Sequence, residues 1–139
     1  ASKYVIDYCI NNNIGTVVIG KNNKWKQECS MSKFNNQNFV QIPYEQFIRK
    51  LQYKAEEIGI DIIENEEGYT SGTSFLDNEL PIKENYNKER RVHRGLFVSN
   101  DGIKINADVN AAYQIMRKVF SNAMNEIVGV HLHPVIINL

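Results

Sequence analysis

Cysteine is scarce in this chain. Cys9 and Cys29 are the only two in 139 residues, and they stand at no metal-type spacing. That excludes a disulfide framework and predicts a reducing, cytoplasmic setting. Long apolar runs are also missing. Nothing approaches the roughly 18 residues of a membrane helix, so no membrane partner is expected. No basic-then-apolar start resembles a signal peptide. There is no Gly-rich phosphate loop and no grouping of Ser, His and Asp for nucleophilic catalysis. Net charge is absent too, because 16 Lys and Arg balance 16 Asp and Glu.

The zero conceals an uneven distribution. Residues 1–58 hold eight basic and five acidic side chains, residues 59–89 two and eight, and residues 90–139 six and three. Two basic segments therefore flank an acidic one. Nucleic-acid contact around a metal-binding centre has this pattern. So does a solvated acidic loop on a neutral protein. With 42% hydrophobic residues the chain can bury one modest core, which predicts a single domain over residues 1–139. It opens on what reads as a helix already under way, as a piece of a longer protein would.

Hydrophobic periodicity sets out the elements. "SKYVIDYCINNN" (2–13) puts Tyr4, Val5, Tyr8 and Cys9 at helical spacing, with Ser2 as a cap and the Asn run as a stop. "GTVVIGK" (15–21) reads as a buried strand. Residues 22–41, with the only tryptophan, Trp25, read as a long loop. Pro43 suits the first turn of a helix, where its missing N–H would be unpaired anyway. Phe47, Ile48, Leu51, Ala55 and Ile58 then form one helical face, and Gly59 ends it. "IDII" is a second strand. From Gly68 to Asn106 the pattern is irregular, a third helix runs from Ala107 to Val119, and "GVHLHPVIINL" ends the chain as an extended piece. Strands alternating with helices predict an α/β fold with parallel pairing.

Two constellations carry chemistry. In the third helix, Asp108 shares a stripe with Ala111, Ala112, Ile115 and Val119, whereas Asn110, Gln114, Arg117 and Ser121 form the polar face. Asp108 is thus expected to face inward. An acid near a helix start is favoured by the unpaired N–H groups, and a carboxylate aimed into the fold is also a metal ligand. Secondly, Glu64, Glu66 and Glu67 crowd the end of a buried strand. Working groups in open α/β sheets lie past such strand ends. Carboxylates there suit Mg²⁺ or Mn²⁺, and a pair of ions would act on a phosphodiester. The plainer reading is a solvated acidic turn. "TSFLD" (73–77) and "FVSNDG" (97–102) stand where two zinc knuckles would. Their positions hold Ser74 and Asp77, then Val98 and Asp101. Valine has no donor, so no zinc is expected. His93, His131 and His133 read as surface or structural residues.

"GTVVIGKNNKWKQ", "NFVQIPYEQFIRKLQYKAEEIGIDIIENEEGYTSGTSFLD" and "RRVHRGLFVSNDGIKINADVNAAYQIMRKVF" closely resemble the C-terminal RuvC-like part of TnpB, the OrfB-type protein of bacterial insertion sequences. The pairing of "YTS" with a later "ADVNAA" is the specific part. The resemblance implies an RNase H-like fold: a mixed sheet with flanking helices, incomplete because its first strands lie upstream. It implies a transposon-encoded, RNA-guided, metal-dependent DNA endonuclease related to type V CRISPR effectors, with DNA, a guide RNA and the remainder of its own full-length chain as partners. Three carboxylates would hold Mg²⁺ or Mn²⁺. The third falls on Asp108, and the first lies upstream. The second is expected where Gly20 stands, and Glu66 or Glu67 would replace it. Residues 72–104 would be a degenerate, metal-free zinc-ribbon insertion. Lys21, Lys24, Lys26, Arg90, Arg91 and Arg94 are candidate phosphate contacts, and Trp25 a base-stacking residue. This fragment is expected to be inactive alone. The alternative, marked by Gly20, is a nucleic-acid-binding module of the same family that has lost catalysis.

Overall fold

The structure, a computed structural model, describes residues 1–22, 31–122, 129 and 131–138, with the backbone alone for residues 31–42. The chain divides into two compact units, Ala1–Glu64 and Asn65–Asn138.

The first unit holds α1 (Ser2–Asn11), β1 (Thr16–Lys21), α2 (Met31–Ile58) and β2, which spans Asp61–Glu66 across the boundary. Both short-range stops expected from the sequence are present, and both have the same mechanism. After α1, Asn13 takes φ +54, Asn13 N–H donates to Ile10 O at 3.3 Å and Ile14 N–H to Cys9 O at 2.9 Å. After α2, Gly59 takes φ +75, its N–H donates to Glu56 O at 3.4 Å and Ile60 N–H to Ala55 O at 3.0 Å. These paired bonds satisfy carbonyls that a helix end leaves open. They also turn Ile60 back onto the core. Asp61 N–H then donates to Gly15 O at 2.9 Å, which starts β2 beside β1.

Ile6, Cys9, Leu51, Ala55 and Ile60 form the core of this unit, with Val17, Ile19, Phe47 and Ile62 packed against it. Burial pushes the Cys9 thiol pKa up, so it is an unreactive filler. The expected face of α1 is only half right. Tyr4 and Tyr8 lie 39% and 52% exposed, and Ile6 takes the inward position.

The region read as a loop needs a larger correction. α2 begins at Met31, so Pro43 lies inside the helix instead of starting it. A proline there removes one intrahelical bond and crowds the carbonyl four residues back. Local preference pointed to a boundary that this 28-residue helix runs through.

The second unit holds two 3-10 turns, Lys83–Asn85 and Lys88–Arg90, then β3 (Arg91–His93), β4 (Leu96–Val98), β5 (Lys104–Asn106) and α3 (Ala107–Val119). Residues 91–106, expected to be irregular, form an antiparallel sheet in the order β3–β4–β5. Leu96 lies opposite Asn106, and Phe97 opposite Ile105. Three-residue strands are too short to show a period of two. Phe97, Ile105 and Ala107 form the core here, with Leu76, Val109, Tyr113 and Leu132 around it. The tail is tied where Asn106 N–H donates to Leu132 O at 2.8 Å and His131 N–H donates to the Tyr113 hydroxyl at 3.1 Å, and residues 131–138 form no strand. Among the described residues, no helix is long and apolar enough to cross a membrane. The architecture is mixed α/β with two small sheets. The β3–β4 and β4–β5 pairings are antiparallel.

Candidate functional site

α3 organises the second unit. Asn106 caps it, with Oδ1 accepting from Asp108 N–H at 2.9 Å and Val109 N–H at 3.1 Å. Loss of such a cap costs about 1 kcal/mol. Asn106→Ala is therefore expected to lower unfolding free energy by about that amount in a urea titration, with Asn106→Ser retaining most of it.

Beyond the cap, the helix is turned opposite to expectation. Asn110, Gln114 and Arg117 are buried at 0%, 0% and 3% exposure, whereas the Asp108 side chain is 82% exposed. Ala112 is exposed and Ile115 and Val119 are half-buried. The polar stripe faces inward because it packs on the loop that follows β2. That loop has no ladder to satisfy its backbone, and buried N–H and C=O groups need partners. Asn110 supplies two of them: its Oδ1 accepts from Phe75 N–H at 3.0 Å and its Nδ2 donates to Thr73 O at 2.9 Å. Gln114 Nε2 donates to Thr73 Oγ1 and to Glu79 O, both at 3.0 Å. Arg117 donates to Glu79 O at 2.7 Å and lies 4.8 Å over the Phe75 ring. Burial lowers the pKa of its guanidinium.

The two knuckle-like segments meet at hydrogen bonds. Ser74 Oγ accepts from Asp77 N–H at 3.2 Å, and Asp77 Oδ2 accepts from Asn100 N–H at 2.8 Å. Glu79 closes the arrangement. Its carboxylate accepts from Ser74 N–H at 2.8 Å, from Arg90 at 2.6 Å on each oxygen and from Asn100 Nδ2 at 3.5 Å. Sequence reasoning did not single out Glu79. It sits in an acidic stretch without periodicity, and its partners come from three segments.

This polar clasp, the antiparallel sheet and α3 as far as Ile115 lie in the stretch that a known family matches: residues 44–115, just over half of the chain, fit the family described as Cas12f1-like, TNB domain. The chain belongs to this family. Its fold also matches that of a solved structure, the cryo-EM structure of the Cas12f1–sgRNA–target DNA complex, with a TM-score of 0.54 and 24% identity. The match covers 82% of this Cas12f1-like chain and 31% of the other, so the chain spans about a third of its structural relative. At that identity the likeness is one of fold. No curated protein matches it.

Within the Cas12f1-like chain, three of the four candidate carboxylates, Glu64, Glu66 and Asp108, have a cationic neighbour. Glu64 accepts from Lys21 at 3.0 Å and from Gln52 at 2.8 Å, and this contact raises the Lys21 pKa. Glu66 pairs with Lys118 at 3.0 Å and accepts from Gly68 N–H at 2.6 Å. Asp108 lies 3.6 Å from Arg91. Glu67 is half-buried, and its backbone carbonyl accepts from the Thr70 hydroxyl at 2.7 Å. Among the described residues, no three of His, Cys, Asp and Glu form a group that could hold a metal ion.

The candidate phosphate contacts are also dispersed. Arg90 is engaged by Glu79, Arg91 by Asp108 and Lys21 by Glu64. Arg94 stands exposed at the β3–β4 turn and enters no ion pair among the described residues. Lys24, Trp25 and Lys26, with Cys29, lie outside the described residues. His93, His131 and His133 are exposed.

Proposed function

We propose that this chain is the nucleic-acid-gripping segment of an RNA-guided, transposon-encoded DNA endonuclease. Guide RNA and target DNA would be its partners, and the remainder of the full-length chain would complete an RNase H-like sheet around it. The family match over residues 44–115, and the sgRNA and target DNA of the structural relative, support this reading. The observation that carries it is the β3–β4 hairpin. It presents Arg94 at its turn, with Val92 and His93 also exposed, and Lys104 stands exposed on the adjoining β5, all inside the matched stretch. Backbone phosphates are held by such cations, which position the strand without reading its sequence.

Salt dependence tests it. The chain should bind oligonucleotides with an affinity that falls as salt rises. Arg94→Ala should weaken binding and lower the slope of log affinity against log salt by about 0.7 to 0.9. Arg90→Ala should instead act on stability. Absence of binding, or an unchanged slope in Arg94→Ala, would remove the hairpin from the interface.

Divalent metal chemistry is assigned to the intact protein. The residues described here do not complete a metal site, since Asp108, Glu66 and Glu67 form no three-membered donor group. Asp108 is the most open of the candidates, with hard carboxylate oxygens of the type Mg²⁺ or Mn²⁺ prefers. We assign it as this chain's contribution to the cleavage centre, with the other ligands supplied from elsewhere in the protein. The isolated chain is then a binder without turnover.

A further inference from the structure

Two tyrosines of the second unit stand exposed as a pair. Tyr69 and Tyr86 are 46% and 40% exposed, and their rings meet edge to face at 5.9 Å and 72°. Neither is held loosely. Tyr69 sits at φ +64, a conformation that costs a non-glycine residue energy and persists only where the surroundings impose it. Here the loop imposes it: Thr70 N–H and Oγ1 both bond Glu67 O, at 3.3 and 2.7 Å, and Thr73 Oγ1 donates to Tyr69 O at 2.8 Å. Tyr86 follows the first 3-10 turn and rests on Gly72, where any Cβ would overlap its ring. Asn87 N–H donates to Gly72 O at 2.9 Å and fixes that approach.

We propose that Tyr69 and Tyr86 form a stacking platform for one unpaired nucleobase of the bound strand. This rests on the nucleic-acid reading above and names a second kind of contact within it. Exposed aromatic side chains already fixed in place lose little freedom when a base lands on them, and every base offers a π-face. The edge-to-face geometry leaves ring surface that the partner ring does not cover. Charge does not supply the attraction here. Lys83 and Lys88 flank Tyr86, but so do Glu84 and Glu89, all four exposed. The platform is thus suited to a planar neutral group, and the phosphates of the same strand fall to the hairpin cations. A loop held strained to display an aromatic ring is also hard to explain by stability alone, because glycine would fit position 69 better.

The test uses oligonucleotides carrying 2-aminopurine, whose fluorescence is quenched on stacking, as single-stranded DNA, single-stranded RNA and duplex DNA. The parent chain should quench the probe in one or both single strands and not in the duplex, and the two single-stranded arms identify which strand the platform takes. Tyr86→Leu should abolish quenching and weaken binding about 5- to 100-fold without changing the salt slope. Tyr86→Phe should retain both. Tyr69→Gly should lose quenching while its melting temperature stays level or rises, which separates binding from folding. Unchanged quenching in Tyr86→Leu and Tyr69→Gly, or equal quenching in the duplex, overturns the platform alone. If the parent binds none of the three, the nucleic-acid reading fails and the platform fails with it. A cationic peptide that binds in place of every oligonucleotide would give the platform a different ligand and overturn the proposal.

Discussion

Glu79→Ala is expected to destabilise the second unit by about 3 kcal/mol and to lower its melting temperature by roughly 10 °C. The carboxylate joins the loop after β2, at Ser74, to the two ends of the β3–β4 hairpin, at Arg90 and Asn100. It accepts from Ser74 N–H, from Arg90 Nη1 on both of its oxygens and from Asn100 Nδ2. Truncation leaves the Ser74 N–H without its carboxylate acceptor, on a residue with no exposure, and the Arg90 guanidinium unpaired at 18% exposure. An orphaned buried donor costs its full desolvation, and an uncompensated buried charge costs more. Glu79→Gln should fall between, because an amide oxygen still accepts but no longer neutralises Arg90. The backbone carbonyl of Glu79 keeps its bonds from Gln114 and Arg117 in either variant, so the loss should be partial. Urea titration followed by circular dichroism measures it, and parent-like stability in Glu79→Ala would show that the clasp is ornamental.

The clasp also bears on the expected absence of zinc. Its residues fill the place where two metal-binding knuckles would meet, and Val98 offers no donor there. EDTA should therefore leave the melting temperature of the parent unchanged, whereas a chelator-sensitive transition would reveal a metal that these side chains do not suggest.

The parts of the fold legible in the sequence were those set by neighbouring residues. Asn13 and Gly59 end helices because they tolerate a positive φ, and both are read from one or two letters. Ile48, Leu51 and Ala55 face inward because the first unit buries apolar against apolar. The second unit does not follow that rule. Its loop has backbone groups and no sheet to bond them, so α3 turns Asn110 and Gln114 inward. A periodicity argument assumes that the apolar stripe is the buried one, and it was inverted here. The same assumption placed Asp108 inside. The candidate acid was identifiable from its motif, but its exposure depended on what the opposite face of α3 must satisfy. Glu79 had no local signature, because its partners at 74, 90 and 100 converge only in three dimensions. β3, β4 and β5 were invisible for a simpler reason: three residues carry too little alternation.

The inverted helix sharpens what Asp108→Ala should do in the full-length protein. If Asp108 is the metal ligand proposed above, Mg²⁺-dependent DNA cleavage should fall roughly a thousandfold or more, since losing such a carboxylate removes several kcal/mol of transition-state stabilisation. Stability should fall by no more than about 1 kcal/mol. An exposed ion pair contributes little, and the remaining share is a first-turn acid's interaction with the helix N-terminus. Nucleic-acid affinity should hold or rise, which a core acid would not predict. Asp108 lies 3.6 Å from Arg91, and its removal releases that guanidinium for phosphate. The salt slope of binding should then steepen by up to about 0.9. Arg91→Ala should give the mirror result, with weaker binding and a shallower slope. Three readouts thus separate the roles of one residue. Cleavage that survives Asp108→Ala would take Asp108 out of the cleavage centre. A full-length parent that binds but never cleaves would favour the module that has lost catalysis, and Gly20, standing where a second acid is expected, is the residue that would account for it.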